Sequence, residues 1–218
     1  MVLGSEAMPN KLENLSDDQL DTIRELASVG SGHSANALSE LLGQKIQMQV
    51  PKVRVVPVED VAYELLDSDA LDVTVAALFV DTPDETPLEL VSLFEGETIA
   101  YISGLIGNEE PSKDLFSLSE DEKSLVQEVG NILLLQFLTA IESLTGIEAR
   151  PRETPRLIID MAEAVLNAIM MRVGLENHSV LLVDNVLYTD RFEVKALSLL
   201  IPSEAFLELM FEKLLLDM

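Results

Sequence analysis

Apolar residues recur at helical spacing in two long stretches of the chain. Leu20, Ile23, Ala27, Gly30, Leu38 and Leu41 fall on one stripe of a helix, and Leu125, Val126, Val129, Leu133, Phe137, Ala140 and Leu144 fall on one stripe of another. Each stretch opens with a helix-starting signal, Leu15-Ser16-Asp17-Asp18 in the first and Leu118-Ser119-Glu120-Asp121-Glu122 in the second. A serine hydroxyl caps free N–H groups there, and first-turn acids suit the helix dipole. Each stretch ends at a glycine, Gly43 and Gly146. The pattern predicts two long helices running to Leu42 and Leu144.

Elsewhere the period shortens. Ile46 to Val58 carries β-branched residues broken by Pro51 and Pro57, which predicts a bent or edge strand. Val73 to Val80 reads as a buried strand, Thr82 to Pro87 as a turn, Leu88 to Phe94 as a hairpin partner and Thr98 to Ile106 as a short helix. Acids at Asp69 to Asp72 separate the first two strands. After the Pro-containing segment Arg150 to Arg156, the pattern predicts a helix over Ile158 to Val173, strands at Ser179 to Tyr188 and Phe192 to Ile201, and a closing helix from Ser203 to Leu216.

The two stretches repeat each other. Gly43 and Gly146 lie 103 residues apart, and Ser92-Leu93 returns as Ser198-Leu199 after 106. The polar, Pro-containing segment Asn108 to Lys113 lies between the copies. This organisation predicts a flexible leader over residues 1–14 and one domain over 15–218, built from two repeats, 15–107 and 115–218. Each half alone would leave open strand edges, so the halves are expected to join. The fold class is α/β, a pseudo-twofold repeat with one sheet layer and helices packed on it.

Charge narrows the range of partners. Lys plus Arg number 14 and Asp plus Glu 39 among 218 residues, a net charge of −25 that repels phosphate backbones and anionic lipid. Nucleic acid and membrane surfaces are therefore not expected partners. Mean hydropathy is +0.24, so the acid coats an ordinary core, the balance of a halophilic protein. There is no Cys, which removes disulfides and thiolate chemistry. The charge-free run Val129 to Ile141 spans 13 residues, against about 20 for a membrane helix. Met1 to Asn14 has no apolar signal region. A cytoplasmic protein is expected.

The outward faces of the long helices hold the candidate chemistry. On the second, Ser124, Gln127, Glu128 and Asn131 lie opposite the stripe, with Glu128 and Asn131 one turn apart. On the first, Glu25 projects outward with Ser28 three residues later, and Glu25 and Glu128 keep the 103-residue offset. Glu25 to Leu42, together with Glu128-Val129-Gly130-Asn131-Ile132-Leu133, resembles the two signature helices of the CheC phosphatases of chemotaxis, each built on E-x-x-N. The resemblance extends from Leu15 through nearly all of the chain, including Pro202 before the last helix.

The resemblance implies hydrolysis of the aspartyl phosphate on a CheY-type response regulator. An acyl phosphate needs a water held in line with the departing carboxylate. The amide of Asn131 suits that task, and Glu128 suits pairing with a lysine beside the phosphate. The resemblance implies no cofactor of the protein's own, with magnesium held by the regulator, and the deamidase CheD as a further partner. Ser28 departs from the pattern where the family has Asn, so the first site, Glu25 and Ser28, is expected to be impaired or to dock only. Asn36 lies 11 residues beyond Glu25 and cannot substitute for the asparagine missing at Ser28. The alternative reading is a non-catalytic adaptor of the same fold, binding CheY or CheD. The chain ends soon after its closing helix, so a flagellar-switch protein with an added C-terminal domain is not the expected reading.

Other signals carry less weight. Gly30-x-Gly32-x-x-Ala35 lies within a helix and reads as close packing, not a dinucleotide loop. His33 and His178 fall in different halves, and the acids Glu59, Asp60, Glu64, Asp67, Asp69 and Asp72 read as a solvated loop.

Overall fold

The structure is a computed structural model describing residues 11–61, 64, 73–83, 87–104, 114–173, 179–189 and 193–215. In chain order its elements are α1 (Asp17–Leu42), β1 (Gln47–Met48), β2 (Lys52–Pro57), β3 (Thr74–Asp81), β4 (Leu88–Glu95), α2 (Gly96–Gly104), α3 (Glu120–Thr145), β5 (Arg156–Met161), α4 (Ala162–Val173), β6 (Ser179–Tyr188), β7 (Glu193–Pro202) and α5 (Glu204–Leu215). Both long helices start at reciprocal caps. The Ser16 N–H donates to Gln19 Oε1 at 2.9 Å while the Gln19 N–H donates back to Ser16 Oγ at 3.2 Å. Ser119 and Glu122 repeat the arrangement at 2.7 and 3.3 Å. Gly43 and Gly146 close the helices at φ +63° and +70°, where a side chain would be strained.

The strands form one antiparallel sheet in the order β1-β6-β7-β4-β3-β5, with β2 also paired to β6. At its centre β4 pairs β7 with Ser92 opposite Ser198. Those two serines are the repeat's equivalent residues, so exchanging the halves maps this pair onto itself. A pseudo-twofold axis normal to the sheet passes between them. It relates β2 to β5, β3 to β6 and α1 to α3, and both halves contribute strands to one layer.

Two apolar cores flank the sheet. On one face Leu26, Leu38, Val126, Leu134 and Phe206 from the helices pack on Leu78, Leu90 and Leu181. On the other Val165, Leu166 and Ile169 of α4 pack on Ala77, Val91 and Leu182. Alternating strand side chains feed the two faces. By length and composition α3 is the one described helix apolar enough to cross a membrane. Here its apolar residues pack against α1 and the sheet.

Three differences from the sequence pattern have physical causes. Ile158–Met161 is not the start of a helix but the end of β5, and the helix begins at Ala162. Ile158 and Ile159 pair with Ala77 and Ala76 of β3, and that pairing decides between strand and helix for a short apolar run. Leu41 and Leu144, assigned to the buried stripes, are 41% and 40% exposed. Both sit in the last turns of their helices. Lys11–Asn14, assigned to the leader, forms a 3-10 turn that buries Leu12, and Ser179 Oγ donates to Glu13 at 2.9 Å.

In the acidic stretch, Glu64 pairs with Arg54 at 2.6 Å, and Arg54 also reaches Asp184. The junction Asn108 to Lys113 lies outside the described residues, as do Asp67, Asp69, Asp72 and His178.

Candidate active site

A twofold axis normal to a sheet reverses every direction lying in that sheet. Helices α1 and α3, on the same face, therefore run antiparallel along each other. Their backbones come close at Gly30, where an added Cβ would stand 3.1 Å from the Phe137 Cα. Gly130 lies flush against the sheet, where a Cβ would stand 2.7 Å from both terminal methyls of Leu78. These glycines fix how α3 sits on both neighbours, and Asn131 follows directly on Gly130.

The third and fourth turns of α3 carry Glu128 and Asn131. Glu128 is exposed and has no hydrogen-bond or ion-pair partner among the described residues. Asn131 is half-buried, and its Oδ1 is buried without a hydrogen-bond partner. Leaving such an acceptor unpaired costs about 1–3 kcal/mol, and an unpaired group in a folded protein needs a reason. A carboxylate in solvent and an amide with unspent capacity thus lie one turn apart on one helix face.

The first site is built differently at its second residue. Glu25 is exposed, like Glu128, and has no partner among the described residues. Ser28 Oγ donates to the Arg24 carbonyl at 2.8 Å, so the hydroxyl proton is held by the helix's own backbone. By the antiparallel geometry, Ser28 and Asn131 lie on opposite sides of the crossing, about 12 Å apart along the helices. They are two separate candidate positions and not one.

Gln127 departs from the outward face to which its position assigned it. It is half-buried, and its Nε2 donates to the carbonyl of buried Pro155 at 3.1 Å. Helical periodicity could not show this, because the covering segment comes from later in the chain. The available signal was the placing of Pro51 and Pro155 ahead of equivalent strands. Of the remaining singled-out residues, His33 and Asn36 are exposed on α1, and Gly32 has nothing within 4 Å of an added Cβ.

A model of the CheC-like family matches residues 19–55, which contain Glu25 and Ser28. The chain is 31% identical over 205 residues to the CheY-P phosphatase CheC of Bacillus subtilis, covering 90% of this chain and 94% of that protein. It is 30% identical over 135 residues to the flagellar motor switch phosphatase FliY of the same bacterium, covering 62% of this chain and 34% of that one. The crystal structure of Thermotoga maritima FliY has the same fold, with a TM-score of 0.73 at 20% identity over 94% of this chain and 99% of that one. On this near full-length identity and the shared fold, the chain belongs to the CheC family.

Proposed function

We propose that the protein hydrolyses the aspartyl phosphate of a CheY-type response regulator, and that α3 carries the activity. What supports this reading most is the free, exposed carboxylate of Glu128 one turn before the half-buried amide of Asn131, in a chain 31% identical to a CheY-P phosphatase. Hydrolysis of an acyl phosphate requires a water in line with the leaving carboxylate, with no covalent help from the phosphatase. The Asn131 amide offers both an acceptor and donors to hold that water. Glu128 pairs with a lysine of the regulator and thereby anchors the helix at the phosphate. Magnesium, in this reading, is held by the regulator, and the reaction takes place in the cytoplasm.

The test is the decay of a phosphorylated CheY-type regulator with and without the protein. Acceleration is expected, and Asn131→Ala should lower turnover about tenfold or more, at least ~1.4 kcal/mol in the barrier, with the fold retained. Full activity in Asn131→Ala would remove Asn131 from the mechanism.

The internal bond of Ser28 favours a second role for α1, as a docking surface without hydrolysis. A protein that binds the regulator without speeding its dephosphorylation would be an adaptor throughout, with CheD as its other candidate partner.

A further inference from the structure

We infer that Gln127 is a positioning residue for Asn131, acting through its bond to Pro155; the inference rests on the proposed role of Asn131. Side chains on a helix lean back over the preceding turn, so Asn131 lies over Gln127, four residues before it. The Gln127 carboxamide is fixed at its far end by the Pro155 carbonyl, 3.1 Å away. Pro155 is itself buried just ahead of β5, on a segment that also buries Ile147 and Ala149. The side chain one turn before Asn131 on the same helix face is thus tied to the segment ahead of β5 and not left to rotate. An amide that must hold a water in line needs its orientation fixed, because a freely turning carboxamide does not keep that water in place.

The pseudo-twofold supplies the comparison. The residue equivalent to Gln127 is Arg24, and the residue equivalent to Pro155 is Pro51, also buried ahead of its strand. Arg24 turns instead to Asp21, one turn back on its own helix, and among the described residues no hydrogen bond joins it to Pro51. So α1 lacks the clamp and also lacks the amide, carrying Ser28 in its place. Both differences fall on the same helix face, one turn apart. The half that retains an amide retains the bond that would orient it.

Two sets of variants of the full chain test this, read out as steady-state dephosphorylation of the regulator. Gln127→Leu keeps most of the packing and removes the donor. It should lower kcat about fivefold or more with KM nearly unchanged, since a small misplacement of a reacting group costs rate and not binding. In an Asn131→Ala background the same change should have no further effect on kcat. A merely structural role predicts the opposite, an equal loss in both backgrounds, and that result or an unchanged kcat in Gln127→Leu overturns the inference. Should Gln127→Leu fail to fold, the exposed first site decides. With Asn131→Ala silencing α3, Arg24→Gln combined with Ser28→Asn should exceed Ser28→Asn alone by about threefold or more. Equal activity would overturn the clamp. Loss of activity in neither Asn131→Ala nor Glu128→Ala would instead overturn the reading on which the inference rests.

Discussion

Ser28 and Asn131 occupy equivalent places on two capped helices of equal length, yet their polar atoms are in opposite states. The Ser28 hydroxyl is short enough to reach back to the Arg24 carbonyl and donates there at 2.8 Å. An asparagine amide extends further and leaves its oxygen unpaired at Asn131. The sequence shows that Ser28 departs from E-x-x-N, and it shows that a hydroxyl offers fewer donors. It cannot show that the hydroxyl is already committed, because serines mid-helix either bond back or face solvent with similar ease. Ser28→Asn breaks that bond without losing an essential contact, and Glu25 already stands free beside it. Dephosphorylation by Ser28→Asn should therefore exceed the wild-type rate. An unchanged rate, with weaker regulator binding in Glu25→Ala, would make α1 a docking surface alone.

Among the helix elements, two glycines that look alike in sequence differ in what surrounds them. Gly32 meets nothing within 4 Å, so Gly32→Ala gains helix propensity without a clash and should stabilise the fold by about 0.8–1 kcal/mol. Gly130 would put a methyl 2.7 Å from two Leu78 methyls, and Leu78, fully buried, would have to shift within the core. Overpacking of that kind costs about 1–3 kcal/mol, more than the propensity gain, so Gly130→Ala should lower the melting temperature. Thermal unfolding of the two variants checks both signs, and a stable Gly130→Ala would mean that α3 is free to lift from the sheet. The caps, the closing glycines and the strands Val73 to Val80 and Leu88 to Phe94 were legible because their signals are local. The strand at Arg156–Met161 was not, since Leu157, Ile158 and Ile159 suit either element until β3 pairs with them. Gln127 was misassigned for the same kind of reason: helical periodicity gives its angle on the helix but not the segment that covers it.

At the scale of the whole molecule, the charge of −25 acts on the fold and on any partner together. The repeat explains why a chain so acidic still has ordinary cores, because the twofold brings two apolar half-sheets into one layer covered on both faces. Glu64 and Asp184 share Arg54, Asp81 takes Arg152 and Glu89 takes Arg172. With 39 acids against 14 Lys and Arg, most acids have no cation of their own to meet. Most of the surface carboxylates therefore repel one another, and they would repel a regulator that is itself acidic before contact. Raising salt from about 0.1 M to 1 M shortens the screening length from about 10 Å to 3 Å, which removes most of both repulsions. The contact between Glu128 and a regulator lysine weakens too, but it acts at short range and is shielded once the helix docks, so the long-range term dominates. We expect melting temperature and dephosphorylation rate to rise together over that range. The surface ion pairs work in the opposite direction, yet exposed pairs contribute only about 0–1 kcal/mol each and cannot offset the excess of acid. A melting temperature and a rate that stay flat or fall would remove salt adaptation as the reason for the acidic surface, while leaving the roles proposed for Glu128 and Asn131 intact.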